Sequence, residues 1–79
     1  MYTNKEGKEV TLTNFLLNET EANSTWYIRL NGWLVSAVYI DDEDLFVNYI
    51  SDKLCNLKVT NTSWNYVGHY GEVYIEDNK

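Results

Sequence analysis

The dipeptide Asn31-Gly32 lies between two apolar segments and constrains the fold of this chain more than any other feature. Both residues tolerate a positive φ, which a two-residue type I′ turn requires. Residues 25–30 and 33–40 are rich in aromatic and β-branched side chains. The sequence therefore predicts a β-hairpin over residues 25–40.

The two-residue turn also predicts the register of this hairpin and the face that enters the core. Side chains of a strand alternate between the two faces of a sheet, so the register decides which residues are buried. The predicted core face carries the opposing pairs Leu30 and Trp33, Ile28 and Val35, and Trp26 and Ala37, with Tyr39 beyond them. The reverse face is mixed and apolar enough to suggest covering by another strand or by a partner.

Residues 42–57 show helical periodicity. One stripe contains the apolar residues Phe46, Val47, Ile50, Leu54 and Leu57, and Cys55 lies away from it. Asp41 is suited to be the N-cap of this helix, and Asp44 occupies the capping-box position.

The remaining segments predict strands. Residues 10–16 alternate in hydrophobicity, as do residues 72–76, and residues 58–67 are rich in residues that favour strands. The predicted order is β-β-β-α-β-β. The chain of 79 residues is thus expected to form a single α+β domain, a small antiparallel sheet with one amphipathic helix packed on one face.

Composition indicates the compartment. A lone cysteine excludes an internal disulfide, which favours a reducing environment. The N-terminal residues are polar and do not resemble a signal peptide, and the longest apolar stretch is too short to span a bilayer. We therefore expect a cytoplasmic protein, the host cell cytoplasm if it is encoded by a phage, with no membrane contact.

Catalytic signatures are missing from the sequence. It contains one Cys, Cys55, and one His, His69, and it lacks the phosphate-loop, nucleophile-elbow and zinc-protease motifs. A Cys–His pair is formally possible, but the predicted positions do not bring the two side chains together. The acidic run at residues 41–44 lacks the glycine and ligand spacing of a calcium loop. We expect no enzymatic activity, no cofactor and no metal.

Acidic residues outnumber basic ones by twelve to six, giving a net charge of −6. This charge argues against direct nucleic-acid binding, which needs Lys and Arg at the phosphates, and favours a protein partner with a basic surface. Tyr74 alternates with apolar residues and is expected to face outward between carboxylates. The predicted partner-binding residues are Asp41, Asp42, Glu43, Asp44, Glu72, Tyr74, Glu76 and Asp77.

Small acidic domains of this type are common among inhibitors carried by bacteriophages and mobile elements, including anti-CRISPR and anti-restriction proteins. The leading expectation is therefore a DNA-mimicking inhibitor that binds the basic nucleic-acid groove of a host defence protein, such as a nuclease complex. The alternative is a structural or assembly module, monomeric or homodimeric, that self-associates through the reverse face of the sheet. Its interface would contain Tyr27, Leu34, Val38 and Ile40.

Overall fold

The computed structural model describes residues 2–40 and 51–77. In chain order, the elements in these residues are α1 (Leu12–Asn18), β1 (Ser24–Leu30), β2 (Trp33–Ile40), α2 (Asp52–Cys55), β3 (Val59–Asn65) and β4 (Tyr70–Ile75). The predicted α+β class is confirmed. No helix within the described ranges is long and apolar enough to cross a membrane.

The strands of this described part form one sheet in the order β2-β1-β4-β3. Two antiparallel hairpins, β1–β2 and β3–β4, lie side by side, and their inner strands β1 and β4 run parallel. The sheet is therefore mixed, whereas the sequence predicted antiparallel pairing throughout. The connection between β2 and β3 returns the chain to the far edge of the sheet, and no local turn signal in the sequence encodes such a crossover.

A helix replaces the strand that was predicted over residues 10–16, so this prediction was wrong. Thr11 is the N-cap of α1, and its hydroxyl accepts a hydrogen bond from the Asn14 N–H at 3.3 Å. Leu12, Phe15 and Leu16 are buried at helical spacing. The alternating pattern was misleading because the spacing of Leu12 and Leu16 fits the period of a strand as well as that of a helix. The Thr11 N-cap favours the helix.

The predicted hairpin turn is present, with φ of 52° at Asn31 and 91° at Gly32. Beyond its closing pair, however, the register shifts by one residue: Arg29 lies opposite Leu34, whereas Ile28 lies opposite Ser36. Val35 is the extra residue of a β-bulge. The bulge reverses the alternation of inward and outward side chains along the rest of β2.

The bulge changes which residues of β2 enter the core. Val38 and Ile40 are buried, whereas Ala37, Tyr39 and Val35 are exposed. Trp33, which was expected in the core, is 78% exposed at the turn end of β2. Val38 and Ile40 consequently do not lie on the reverse face that was predicted for self-association.

The core lies between α1 and one face of the sheet. Phe15 of α1 packs edge-to-face on Trp26 at a centroid distance of 5.1 Å, and Trp26 stacks on Trp64 of β3 at 5.4 Å. The buried cluster comprises Val10, Leu12, Phe15, Leu16, Trp26, Ile28, Val38, Ile40, Cys55, Val59, Val73 and Ile75.

The helix predicted over residues 42–57 appears in the described residues as α2 alone. Ser51 has extended dihedrals, φ −62° and ψ 148°, and its side chain accepts from the Leu54 N–H, so α2 starts after its own cap. Cys55 is buried in the core, contrary to the predicted exposed position. Ser51, Asn56 and Leu57 are not helical, so one continuous helix up to residue 57 is wrong, and the part of the prediction over residues 41–50, including Asp41 and Asp44, lies outside the described residues.

Candidate functional site: the open face of the sheet

The sheet face opposite α1 carries the candidate site, which we call the open face. Its residues alternate with more buried ones along β1 and β4, and the pairing registers arrange the residues of this face in three rows across β2, β1, β4 and β3. The rows are Tyr39–Thr25–Tyr70–Asn65, Ala37–Tyr27–Glu72–Ser63 and Leu34–Arg29–Tyr74–Asn61.

An ion pair with a shared carboxylate lies at the centre of the open face. Arg29 Nε donates to Glu72 Oε2 at 2.8 Å, and the Tyr74 hydroxyl donates to Glu72 Oε1 at 3.0 Å. Arg29 Nη1 also donates to the Gly32 carbonyl at 3.3 Å, which ties the hairpin turn to β4. Both carboxylate oxygens are engaged, so this Arg29–Glu72–Tyr74 network fixes three side chains in one geometry.

The network shifts the pKa values of its members. The hydrogen bond from Arg29, followed by that from Tyr74, lowers the pKa of Glu72 below its ordinary value of 4.5. The hydrogen bond from the Tyr74 hydroxyl to Glu72 raises the pKa of Tyr74, because the phenolate form has no proton to donate to the carboxylate. Glu72 is therefore ionised at neutral pH and Tyr74 remains a phenol.

The position of Glu72 in this network predicts its titration behaviour. A lowered folded-state pKa means that Glu72 stabilises the fold above the unfolded-state pKa, and that this contribution is lost as pH falls through the lower folded-state value. We expect Glu72 to titrate below 4.5 by carboxyl-carbon NMR. Arg29→Met should raise this pKa more than Tyr74→Phe does, following the order of the two causes.

The control for this titration is Tyr39→Phe. The Tyr39 hydroxyl donates to Asn23 Oδ1 and does not contact Glu72. This variant should leave the Glu72 titration unchanged. A Glu72 pKa that is indifferent to loss of Arg29 would contradict the network.

Tyrosine rings surround the network. Tyr27 and Tyr70 meet edge-to-face at 6.0 Å, and the Tyr70 hydroxyl accepts from Asn65 Nδ2 at 3.1 Å. Tyr39 and Tyr70 are 53% and 39% exposed. The rings present an apolar area with hydroxyls at its margin, which is typical of protein-binding surfaces.

The four predicted site residues that the structure describes do not form one cluster. Glu72 and Tyr74 lie at the centre of the open face, whereas Glu76 and Asp77 follow the end of β4. Asp77 Oδ2 lies 3.0 Å from Lys53 Nζ. Of these carboxylates, Glu72 and Asp77 thus have basic partners, while Glu76 is exposed.

The other predicted residues, Asp41, Asp42, Glu43 and Asp44, lie outside the described part of the chain. Ile40, which precedes them, pairs with Ser24, whereas Ile75 pairs with Leu30 at the other end of β1. The two ends of β1 are about 20 Å apart at the usual rise of a strand. Ile40 and Ile75, which precede the two acidic segments in the sequence, therefore lie at opposite ends of β1.

A depression of about 480 Å³ lies where the hairpin turn meets the end of β4. Its lining includes Asn31, Asn61, Tyr74 and Glu76, so it borders the third row of the open face. The lining offers amide and carboxylate oxygens, which are suited to accept hydrogen bonds from a basic side chain.

The residues considered for nucleophilic chemistry have different neighbours. Cys55 lies in the core, and its carbonyl accepts from the Thr13 hydroxyl at 3.2 Å. His69 lies in the exposed β3–β4 turn, with Nδ1 3.0 Å from the Asn23 carbonyl and its ring against Trp64. In the ranges that the structure describes, no cluster of three or more His, Cys, Asp or Glu is suited to hold a metal ion.

Sequence reasoning missed Arg29, Tyr39 and Tyr70 as members of the site, and it predicted Tyr27 only for the alternative self-association interface. Tyr27 and Arg29 do alternate with buried residues, which is a signal for the face they occupy. Their proximity to Glu72 and Tyr70 depends on the parallel β1–β4 pairing. No protein family, curated protein or solved structure matches this chain.

Proposed function

We propose that this chain is a non-enzymatic binding protein whose open face binds a protein partner with a basic surface. The observation that carries the proposal is the Arg29–Glu72–Tyr74 network set among exposed tyrosine rings on a rigid sheet. Tyr and Arg dominate the energetics of protein interfaces because they combine contact area with directional hydrogen bonds.

The network supports binding because it orders its side chains in advance. Arg29 and Tyr74 are each held by Glu72, so less conformational entropy is lost when a partner docks. The tyrosine rings have few rotatable bonds and lose little entropy as well. The paratopes of tight protein binders reduce the entropy loss on binding in the same way.

The charge distribution favours a basic partner. The chain carries a net charge of −6, while the charge of Arg29 on the open face is balanced by Glu72. Glu76 is exposed at the depression that borders the face. Long-range attraction would accelerate encounter with a basic surface, and the tyrosines would then provide the short-range contacts.

A nucleic-acid groove of a host defence enzyme is the proposed partner surface. Such grooves are lined with Arg and Lys to hold phosphates, so an acidic domain competes with the nucleic acid for the same surface. The proposed role is that of an inhibitor, of the kind that phages and mobile elements use against CRISPR and restriction systems.

Capture from a bacterial lysate with immobilised protein tests this proposal. Partners are identified by mass spectrometry, and affinity is then measured with the purified partner. We expect Tyr27→Ala to weaken binding by about thirtyfold, as for an interface hot spot of about 2 kcal/mol. Binding should weaken as salt rises, and double-stranded DNA should compete with the protein for the partner.

Tyr66→Ala provides the matched control. Tyr66 is 80% exposed in the β3–β4 turn, away from the open face, so its loss should change affinity by less than about threefold. Affinity that is equal in the Tyr27 and Tyr66 variants, or indifferent to salt, would refute the proposed interface. Partner binding that DNA does not affect would refute the groove as its target.

A further inference from the structure

We propose that β2 is a dimerisation edge, along which a second copy of this chain pairs antiparallel to form one continuous sheet. The proposal concerns the strand edge and is independent of the basic partner proposed for the open face.

The two edges of the sheet differ in their exposed side chains, and the β3 edge is also covered where the strand begins. At the β3 edge, the Val59 N–H donates to the Val10 carbonyl at 2.9 Å, and Thr11 bridges to Lys58. The outward side chains of β3 are polar. Within residues 2–40 and 51–77, no strand pairs with β2 on the side away from β1.

The exposed apolar side chains of β2 are those of an interface strand. Edge strands of monomers usually carry charged residues or proline that block pairing with other chains. Residues 30–40 contain neither, although 23% of the whole chain is charged. Trp33, Leu34 and Tyr39 are 78%, 54% and 53% exposed along this strand.

Backbone directions show which residues could bond to a second strand. The Thr25 N–H donates to the His69 carbonyl, so the backbone N–H and C=O groups of Thr25 point towards β4. The backbone groups of Tyr39, which lies opposite Thr25, therefore point away from β1. The Ile40 carbonyl accepts from the Asn23 N–H at 2.6 Å, so the backbone groups of Ile40 point towards β1. By alternation, Ala37 and Tyr39 present their N–H and C=O groups to the edge of β2 that pairs with no strand in the described residues.

A second copy of β2 fits this edge because the strand is complementary to itself. An antiparallel register centred on Val38 places Ala37 of one copy opposite Tyr39 of the other, and each such pair exchanges two backbone hydrogen bonds. On the open face, the small Ala37 side chain leaves room for the tyrosine ring opposite it. The contact is isologous and stops at two copies.

Charge gives the dimer a distinctive salt dependence. Each copy carries −6, so two copies repel each other, and the uncharged β2 is a strip where they can approach. Screening should therefore tighten the dimer as salt rises. Binding of a basic partner has the opposite salt dependence, so the two proposals can fail separately.

Analytical ultracentrifugation of the full chain tests the dimer. We expect a monomer–dimer equilibrium whose Kd is lower at about 500 mM than at about 50 mM salt. Ala37→Lys should raise Kd by at least about tenfold, because a lysine on an edge strand blocks pairing. Ser63→Lys is the matched control, since Ser63 occupies the same row at the opposite edge, and its Kd should stay native.

Three results would overturn the proposal: a monomer at every concentration and salt, an Ala37→Lys dimer as tight as the native one, or growth beyond two copies. Should Ala37→Lys fail to fold by circular dichroism, hydrogen exchange of the native chain decides. The Ala37 and Tyr39 amides should gain protection at high protein concentration. Unchanged exchange at these two amides would equally overturn it.

Discussion

Replacing Gly71 with alanine is expected to lower the free energy of unfolding by about 2–3 kcal/mol, as in overpacked cores. Gly71 lies between Trp26 and Trp64 in one row of the sheet, and the two indoles stack over it. A methyl group at Gly71 would lie 2.5 Å from Trp26 Cζ3 and 2.6 Å from the Ser63 carbonyl oxygen. The backbone contact cannot be relieved by a side-chain rotation.

This loss is large for a chain of 79 residues, since typical stabilities imply a total of about 4–12 kcal/mol. Urea unfolding followed by circular dichroism measures the loss. Gly71→Val should cost more than alanine, because its branches extend further into the stacked indoles.

Gly68→Ala is the control for Gly71. A methyl group at Gly68 would meet the ring of Tyr70, which would have to shift against Tyr27 and Asn65, but no backbone atom blocks it. We expect a smaller loss there than at Gly71. Equal losses at the two glycines would mean that the Trp26–Trp64 stack does not depend on the absence of a side chain at Gly71.

The features that were predicted from sequence are those set by neighbouring residues. The Asn31-Gly32 turn depends on two residues that accept positive φ, and the structure has both of them there. A local signal, the Thr11 N-cap, also indicates a helix and not a strand at residues 10–16, but the alternating hydrophobicity concealed it. Competition between two periods, 2 and 3.6, explains this error.

The features that were missed are set by residues distant in sequence. Arg29 pairs with Glu72 because β1 runs parallel to β4, and neither residue carries a local signal for the other. Glu72 and Tyr74 could be placed on an outward face by alternation alone. To predict Glu72 as the centre of a network would have required the register between two strands whose paired residues are more than forty positions apart in sequence.

The two tryptophans of the hairpin lie in opposite environments, although both were predicted in the core. Trp26 is 5% exposed and its Nε1 donates to the buried Ser24 hydroxyl at 3.0 Å, whereas Trp33 is 78% exposed. Trp33 pairs with Leu30 as predicted, because the bulge at Val35 lies beyond this pair, but the pair is at the turn end of the sheet. Position along the hairpin therefore explains why Trp26 and not Trp33 is in the core.

Trp26→Ala is therefore expected to lower the free energy of unfolding by about 3–5 kcal/mol, because it removes the ring on which Phe15 and Trp64 pack. Trp33→Ala should cost less than about 0.5 kcal/mol, as for an exposed surface residue. Both variants are measured by urea unfolding at low protein concentration, so that association along β2 does not contribute. Comparable losses for the two variants would contradict the exposed position of Trp33 at the turn end of β2.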